Sequence, residues 1–133
     1  VLRALAESGG MLGFLLYPHH LKEKIECTIE SFCEMIVRTI DIMGMDAVGI
    51  GSDLCQDQPN TVVEWMRNGR WNRVVDYGEG TSSAPGFPDM PSWFKDNRDF
   101  INLEEGLLKR GFSLVEVGKI LGDNWFYFFE KSF

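Results

Sequence analysis

The sequence has few of the residues that most often build a metal or redox site. It contains 2 histidines and 3 cysteines among 133 residues, and no two cysteines form a C-x-x-C pair. An odd number of scattered cysteines predicts neither a disulfide framework nor a thiolate zinc site. We therefore expect Cys27, Cys33 and Cys55 to be reduced and mostly buried thiols.

Two other features are missing from the sequence, a cluster of positive charge and a long apolar run. The formal net charge is -7, and without a Lys/Arg cluster the sequence predicts no nucleic-acid partner. No run approaches the roughly 18 apolar residues that a membrane-spanning helix needs, and the first residues lack a signal-peptide pattern. The compartment therefore stays undetermined.

What the sequence does contain is a short apolar segment, Ala47–Ser52, that ends at the carboxylate of Asp53. Such a run, bounded by turn residues, is typical of a buried parallel strand. Gly49 and Gly51 are expected to allow close backbone approach. Parallel α/β folds carry out chemistry at the carboxyl ends of their strands, so Asp53 is a candidate catalytic residue. A turn cap or helix cap is its structural alternative.

The residues before this segment alternate between helix and strand patterns. Residues 1–8 predict a helix ended by a glycine pair, and the apolar stretch Met11–Tyr17 predicts another strand. Thr28 then begins an amphipathic helix with apolar residues at i, i+3, i+4 and i+7, which Gly44 ends. This order predicts two parallel strands joined by a right-handed crossover.

Two adjacent histidines, His19 and His20, follow the first predicted strand. Neighbours on an extended segment point in opposite directions, so they do not readily ligate one metal ion. A solvated loop pair is the structural interpretation of these residues.

Beyond the second strand the pattern becomes irregular. Pro59 can begin a short helix that carries Val62, Val63 and Met66. Residues 68–98 are rich in glycine, proline and aromatic residues and show no sustained period. The aromatic content favours a folded lid or wall, and packing against another part of the protein is the alternative.

The last part of the sequence predicts helices again. A short helix that carries Leu103, Leu107 and Leu108 and is closed by Gly111 is expected. A capping box from Ser113 to Glu116 opens the next helix, which is expected to bury Val117, Ile120 and Leu121. Residues 122–124 are expected to break this helix. A final apolar turn, with rings at Trp125, Phe126, Phe128 and Phe129, needs a partner surface, for which the exterior of the sheet next to the first strand is expected.

Several of these stretches together resemble the membrane (renal) dipeptidase family of zinc metallopeptidases. The matching pieces, in order over nearly the whole chain, are Gly10–Tyr17, Asp46–Asp53, Leu107–Ser113 and Gly122–Phe129. The resemblance implies an α/β fold, the C-terminal part of a (β/α)8 TIM barrel of the amidohydrolase type, with the last two parallel strands and the C-terminal helices. Residues 1–133 would then form a single partial domain, partnered by a missing N-terminal barrel portion.

The resemblance also implies zinc-dependent hydrolysis of dipeptides or small amides. Two zinc ions in the full-length enzyme would activate the attacking water, and their ligands would lie upstream of this chain. Asp53 matches the family's aspartate after the eighth strand, which would pass a proton from that water to the leaving amine. His20, with Tyr17 near it, falls where some relatives place a substrate-facing aromatic residue.

One departure from the family pattern leaves the substrate preference open. Relatives often read G-S-D-F-D-G where this chain has Cys55 in place of the second carboxylate. The alternative to a metallopeptidase is a non-catalytic α/β interaction domain with a structural Asp53, in which the aromatic tail and loop form a binding surface. A homodimer is compatible with either interpretation.

Overall fold

The computed structural model describes residues 1–54, 56, 58–59, 61–62, 65–66 and 89–133. In these ranges the helices and strands are α1 Leu2–Glu7, β1 Leu12–Phe14, α2 Ile29–Met43, β2 Val48–Ile50, α3 Phe100–Lys109, α4 Leu114–Gly118 and α5 Asn124–Ser132. A π-helical stretch, Lys119–Asp123, joins α4 to α5. None of these helices has both the length and the apolar character needed to cross a bilayer.

The predicted α/β arrangement with two parallel strands is confirmed. β1 and β2 pair in parallel, with Phe14 opposite Ile50. The pairing continues past both strands, because Leu16 N donates to Ser52 O at 3.2 Å. The carboxyl ends of both strands therefore lie side by side, immediately before Tyr17 and Asp53.

Helix α2 covers one face of the sheet and has the predicted ends. Thr28 caps its first turn, since Ser31 N donates to Thr28 Oγ1 at 3.2 Å. Gly44 ends it with φ 88°, a left-handed value that favours glycine. The buried side chains of α2 are Phe32, Cys33, Ile36, Thr39 and Met43.

The opposite face of the sheet receives the ring of Trp125 from α5. A Cβ added to Gly49 would lie 2.5 Å from Trp125 Nε1, and one added to Gly13 would lie 3.0 Å from Trp125 Cζ2. The expected close approach at Gly49 is thus made by a side chain. At Gly51 the expectation is wrong, because an added Cβ would stand in ordinary contact, 3.6 Å from Gly13 Cα.

Helix α3 flanks α2 and contains Leu103, Leu107 and Leu108 as predicted. The helix begins at Phe100 and buries Leu103, Gly106 and Leu107, whereas Leu108 is exposed. An added Cβ at Gly106 would lie within 3.0 Å of α2 side chains. This tight approach turns the next-but-one position, Leu108, toward solvent.

The predicted break at residues 122–124 is wrong. The capping box of Ser113 and Glu116 is present, but the chain then stays helical into α5, and Gly118 and Asn124 both have right-handed helical dihedrals. Asn124 is held in the helix because its side chain bonds to the sheet. Trp125 lies against the face of the sheet opposite α2, while Phe126 and Phe129 are exposed, and the expected exterior partner surface stays a prediction.

The described end of the predicted aromatic loop, residues 89–98, belongs to the core. Phe94 is fully buried, and Trp93 Nε1 donates to Cys27 O at 2.7 Å. Residues 67–88 lie outside the described part, so the lid or wall expected of residues 68–98 stays a prediction, as does its alternative, packing against another part of the protein. Cys27 and Cys33 are buried free thiols as expected, whereas Cys55 and Val63 also lie outside the described residues.

Candidate functional site

The candidate site lies at the carboxyl ends of β1 and β2. The in-register parallel pairing brings Tyr17 and Asp53 to this end of the sheet from neighbouring strands. Reactive side chains on parallel sheets commonly lie at the carboxyl ends of the strands. The sequence placed both residues there correctly, although their roles stay predictions.

Asp53 projects from the end of β2 with an unusual backbone conformation. Its φ is 55°, in the left-handed region that few residues other than glycine, asparagine and aspartate adopt. The residue is exposed, and the turn is supported by its neighbour, since Leu54 N donates to Ser52 Oγ at 3.4 Å. Within the described ranges no hydrogen bond ends on the Asp53 carboxylate.

Tyr17 lies beside both histidines at the end of β1. Its ring centroid is 5.5 Å from that of His19 and 5.6 Å from that of His20. The expectation that the histidines diverge assumed an extended segment and is wrong in this respect, because Pro18–His20 forms a 3-10 turn. His19 is thus a neighbour of the site to which the sequence assigned no role. The available signal was Pro18, since proline is common at the first position of a helical turn.

The described residues do not fit a metal centre. No group of three or more histidine, cysteine, aspartate or glutamate side chains stands close enough to hold an ion in this part of the chain. Asp53, His19 and His20 therefore do not form a ligand set by themselves.

The two described cysteines are also unsuited to act as nucleophiles. Burial raises the pKa of the Cys33 thiol to about 11. Burial, reinforced by the nearby Glu23 carboxylate, also raises the pKa of Cys27. Because the thiolate is the reactive form, both side chains stay protonated and inert near neutral pH.

Three cavities among the described residues lie away from the candidate site. One of about 780 Å³ opens beside the start of α2, between Glu26, Glu30, Met90 and Trp93. Others of about 530 Å³ and 400 Å³ lie at the amino ends of the strands and along α2. Asp53, Tyr17 and His20 line none of these three cavities.

Comparison with known proteins shows which solved structures share this fold. No protein-family model and no curated protein matches the chain. Its structure is similar to an amidohydrolase from Pseudomonas aeruginosa, with 31% identity, a TM-score of 0.77, and coverage of 96% of this chain and 37% of that one.

Two metallopeptidases share the fold at lower identity. One is a metallopeptidase from Rhodobacter sphaeroides liganded with a phosphinate mimic of the dipeptide L-Ala-D-Ala (20% identity, TM-score 0.68, 99% of this chain and 30% of that one). The other is dipeptidase AC, a metallopeptidase of family M19 (21% identity, TM-score 0.67, 98% and 31%). The chain thus spans 30–37% of the solved chains it matches, and these support the dipeptidase resemblance at fold level.

Proposed function

We propose that this chain contributes the acid–base aspartate to a metal-dependent dipeptidase with the (β/α)8 barrel fold of the amidohydrolases. The observation that carries the proposal is Asp53, exposed at the carboxyl tip of β2, with Tyr17 and His20 at the tip of β1. The fold shared with an amidohydrolase and two metallopeptidases supports this class. The dipeptide mimic bound to one of those metallopeptidases supports dipeptides as substrates.

In the proposed reaction Asp53 takes a proton from the attacking water and delivers it to the leaving amine. A general acid–base group must be ionisable and must reach both partners by hydrogen bonds. An exposed carboxylate that is not engaged by the described residues meets this need. Its left-handed φ of 55° turns the side chain away from the path of a regular strand, which supports a functional origin of the strain.

Tyr17 and His20 are proposed to contact the substrate. The half-buried Tyr17 ring packs against the exposed His20 ring, which limits the movement of both side chains. A ring that is fixed at the edge of a site can restrict the shape of what binds there. The two zinc ions of the proposed enzyme are assigned to ligands outside the described residues, and Asp53 is not counted among them.

The test is Asp53→Asn in the intact enzyme that contains this chain, assayed on a simple dipeptide. Asparagine keeps the size of the side chain but cannot accept the proton near neutral pH. We expect kcat to fall by roughly 10²- to 10⁴-fold, with little change in KM and unchanged metal content.

The matched control is Asp46→Asn, because Asp46 lies at the other end of β2 and pairs with Lys119 at 2.8 Å. It should leave kcat near that of the unaltered enzyme. An unchanged kcat in Asp53→Asn would assign Asp53 a structural role and favour the interaction-domain alternative. A loss of metal together with activity would make Asp53 a ligand instead.

A further inference from the structure

The end of β2 that leads to Asp53 is partly built from residues without side chains. Gly49 and Gly51 flank Ile50, the last residue of β2, and Asp53 follows three positions after Ile50. Glycine has more backbone freedom than any other residue, and it offers no side chain through which packing could fix the strand. The position that β2 gives to Asp53 therefore depends on what holds the backbone from outside.

Strand β1 holds this part of the backbone on one side. Gly51 N donates to Phe14 O at 2.9 Å, and Leu16 N donates to Ser52 O at 3.2 Å. The second bond reaches the residue directly before Asp53. On this side the backbone is thus fixed up to the point where the left-handed turn at Asp53 begins.

Trp125 of α5 holds the same segment from the face of the sheet opposite α2. Its Nε1 donates to Ile50 O, the last carbonyl of β2, at 3.0 Å. The indole also covers both strands, since a Cβ added to Gly49 would lie 2.5 Å from its Nε1 and one added to Gly13 would lie 3.0 Å from its Cζ2. The glycine in each strand thus leaves the space that the indole fills.

The indole is itself fixed by its neighbours. It stacks on the ring of Phe129, with 5.7 Å between the centroids and 20° between the planes, and meets the ring of Phe128 edge-on at 6.0 Å. The preceding residue, Asn124, is buried and donates from Nδ2 to Met45 O and Val48 O at 2.8 Å each. A side chain whose rotamer is locked in this way can help to hold a functional group within the tolerance of about 0.5 Å that catalysis requires.

We propose that Trp125 is a positioning residue for Asp53. Its indole N–H holds the Ile50 carbonyl while β1 holds the two residues that follow, so the Asp53 carboxylate extends from a backbone that is fixed from two directions. A general acid–base group acts only within hydrogen-bond distance of its partners, and a displacement of about 1 Å can lower the rate 10²-fold. The proposal rests on the proposed function of Asp53 and deepens it, and Trp125 itself contacts no reacting atom.

The test is a double-mutant cycle of Trp125→Phe and Asp53→Asn in the intact enzyme that contains this chain, assayed on a simple dipeptide well below the unfolding transition of each variant. Phenylalanine keeps a ring over the two glycines but has no N–H to donate to Ile50 O. We expect Trp125→Phe alone to lower kcat roughly tenfold or more, with little change in KM or metal content. In the Asp53→Asn background the same change should lower kcat by less than about twofold, because the group that Trp125 positions no longer carries the proton.

Gly49→Ala disturbs the same bond without altering Trp125. Its methyl group would lie 2.5 Å from Trp125 Nε1, so the indole must move away from Ile50 O, and kcat should again fall while KM stays near its original value. In a Trp125→Ala background the nearest remaining contact of that methyl would be the flexible end of Met11 at 3.2 Å, so Gly49→Ala should there cause little further loss. The matched control is Phe126→Ala, at a position 66% exposed on the same helix, which should leave kcat and KM unchanged.

The cycle separates failure of this proposal from failure of the proposed function. An unchanged kcat in Trp125→Phe, or the same fold-loss of kcat in both Asp53 backgrounds, would overturn the positioning role while a large loss in Asp53→Asn alone still supports the proposed function. An unchanged kcat in Asp53→Asn would overturn both. If Trp125→Phe does not fold, Gly49→Ala takes its place in the cycle with Asp53→Asn, and the same outcomes decide.

Discussion

The two ends of β2 hold polar side chains under opposite conditions. At the amino end, Asn124 is buried and donates to the carbonyls of Val48, in β2, and Met45, in the turn before it, at 2.8 Å each. At the carboxyl end, Asp53 is exposed and strained at φ 55°. Buried polar groups must be hydrogen-bonded, whereas an exposed carboxylate remains available to a ligand. The amino end is thus built for stability, and the carboxyl end is the place where chemistry can occur.

Among the variants that test this comparison, the largest change in stability is expected at the amino end of β2. Trp125→Ala removes a ring that lies against Gly13 and Gly49 together with the donor to Ile50 O. We expect the free energy of unfolding to fall by roughly 3 kcal/mol. Trp125→Phe should cost less, about 1 kcal/mol, because it keeps most of the ring but leaves the carbonyl without its donor. Chemical denaturation measures both losses.

The control for this prediction is Phe126→Ala on the same helix. Phe126 is 66% exposed, so its loss should change the free energy of unfolding by less than about 0.5 kcal/mol. If Phe126→Ala were as costly as Trp125→Ala, the contact of α5 with the sheet would not be what stabilises this end.

A smaller effect of opposite sign is expected at the other end of β2. Asp53→Gly relieves a left-handed conformation that costs an L-residue about 1 to 2 kcal/mol. Glycine also raises the conformational entropy of the unfolded state, which lowers stability by about 0.5 to 1 kcal/mol. The net expectation is a gain in stability of up to about 1 kcal/mol, with loss of the proposed activity. Asp46→Gly, at a position without positive φ, should lower stability instead. A loss of stability in Asp53→Gly would mean that the carboxylate holds the turn together.

The parts of the fold that could be predicted from the sequence depend on local signals. Thr28 and Gly44 delimit α2, and Ser113 and Glu116 open α4, because caps act within a few residues of the chain. The continuation of the helix through Asn124 could not be predicted, since its stabilising bond reaches Val48, which is 76 positions away.

The same distinction applies to the candidate site. Asp53 was recognisable because it directly follows an apolar run. The grouping of Tyr17 with both histidines was not, because it depends on a 3-10 turn after Pro18 that no local periodicity indicates. The placement of Trp93 was also missed, since its hydrogen bond to Cys27 spans 66 positions.

The smallest predicted effect concerns a half-buried carboxylate, that of Glu116, which caps a helix. The backbone N–H and the hydroxyl of Ser113 donate to Glu116 Oε2, each at 2.8 Å. These bonds, the backbone one first, lower the pKa of Glu116 below its usual value. Because the folded-state pKa is the lower one, the contribution to stability is present above the ordinary glutamate pKa of about 4.3 and is lost as the pH falls through the folded value.

Glu116→Gln should therefore remove a small part of the decline in stability on the acid side, as measured by denaturation midpoints between about pH 5 and pH 2. Ser113→Ala should reduce the same pH dependence, because it removes the hydroxyl donor to Glu116, and should also weaken the cap by about 1 kcal/mol at neutral pH. Engagement with neighbouring hydrogen-bond donors thus distinguishes Glu116 from Asp53. An acid-side decline that is identical in the unaltered chain, Glu116→Gln and Ser113→Ala would remove this distinction.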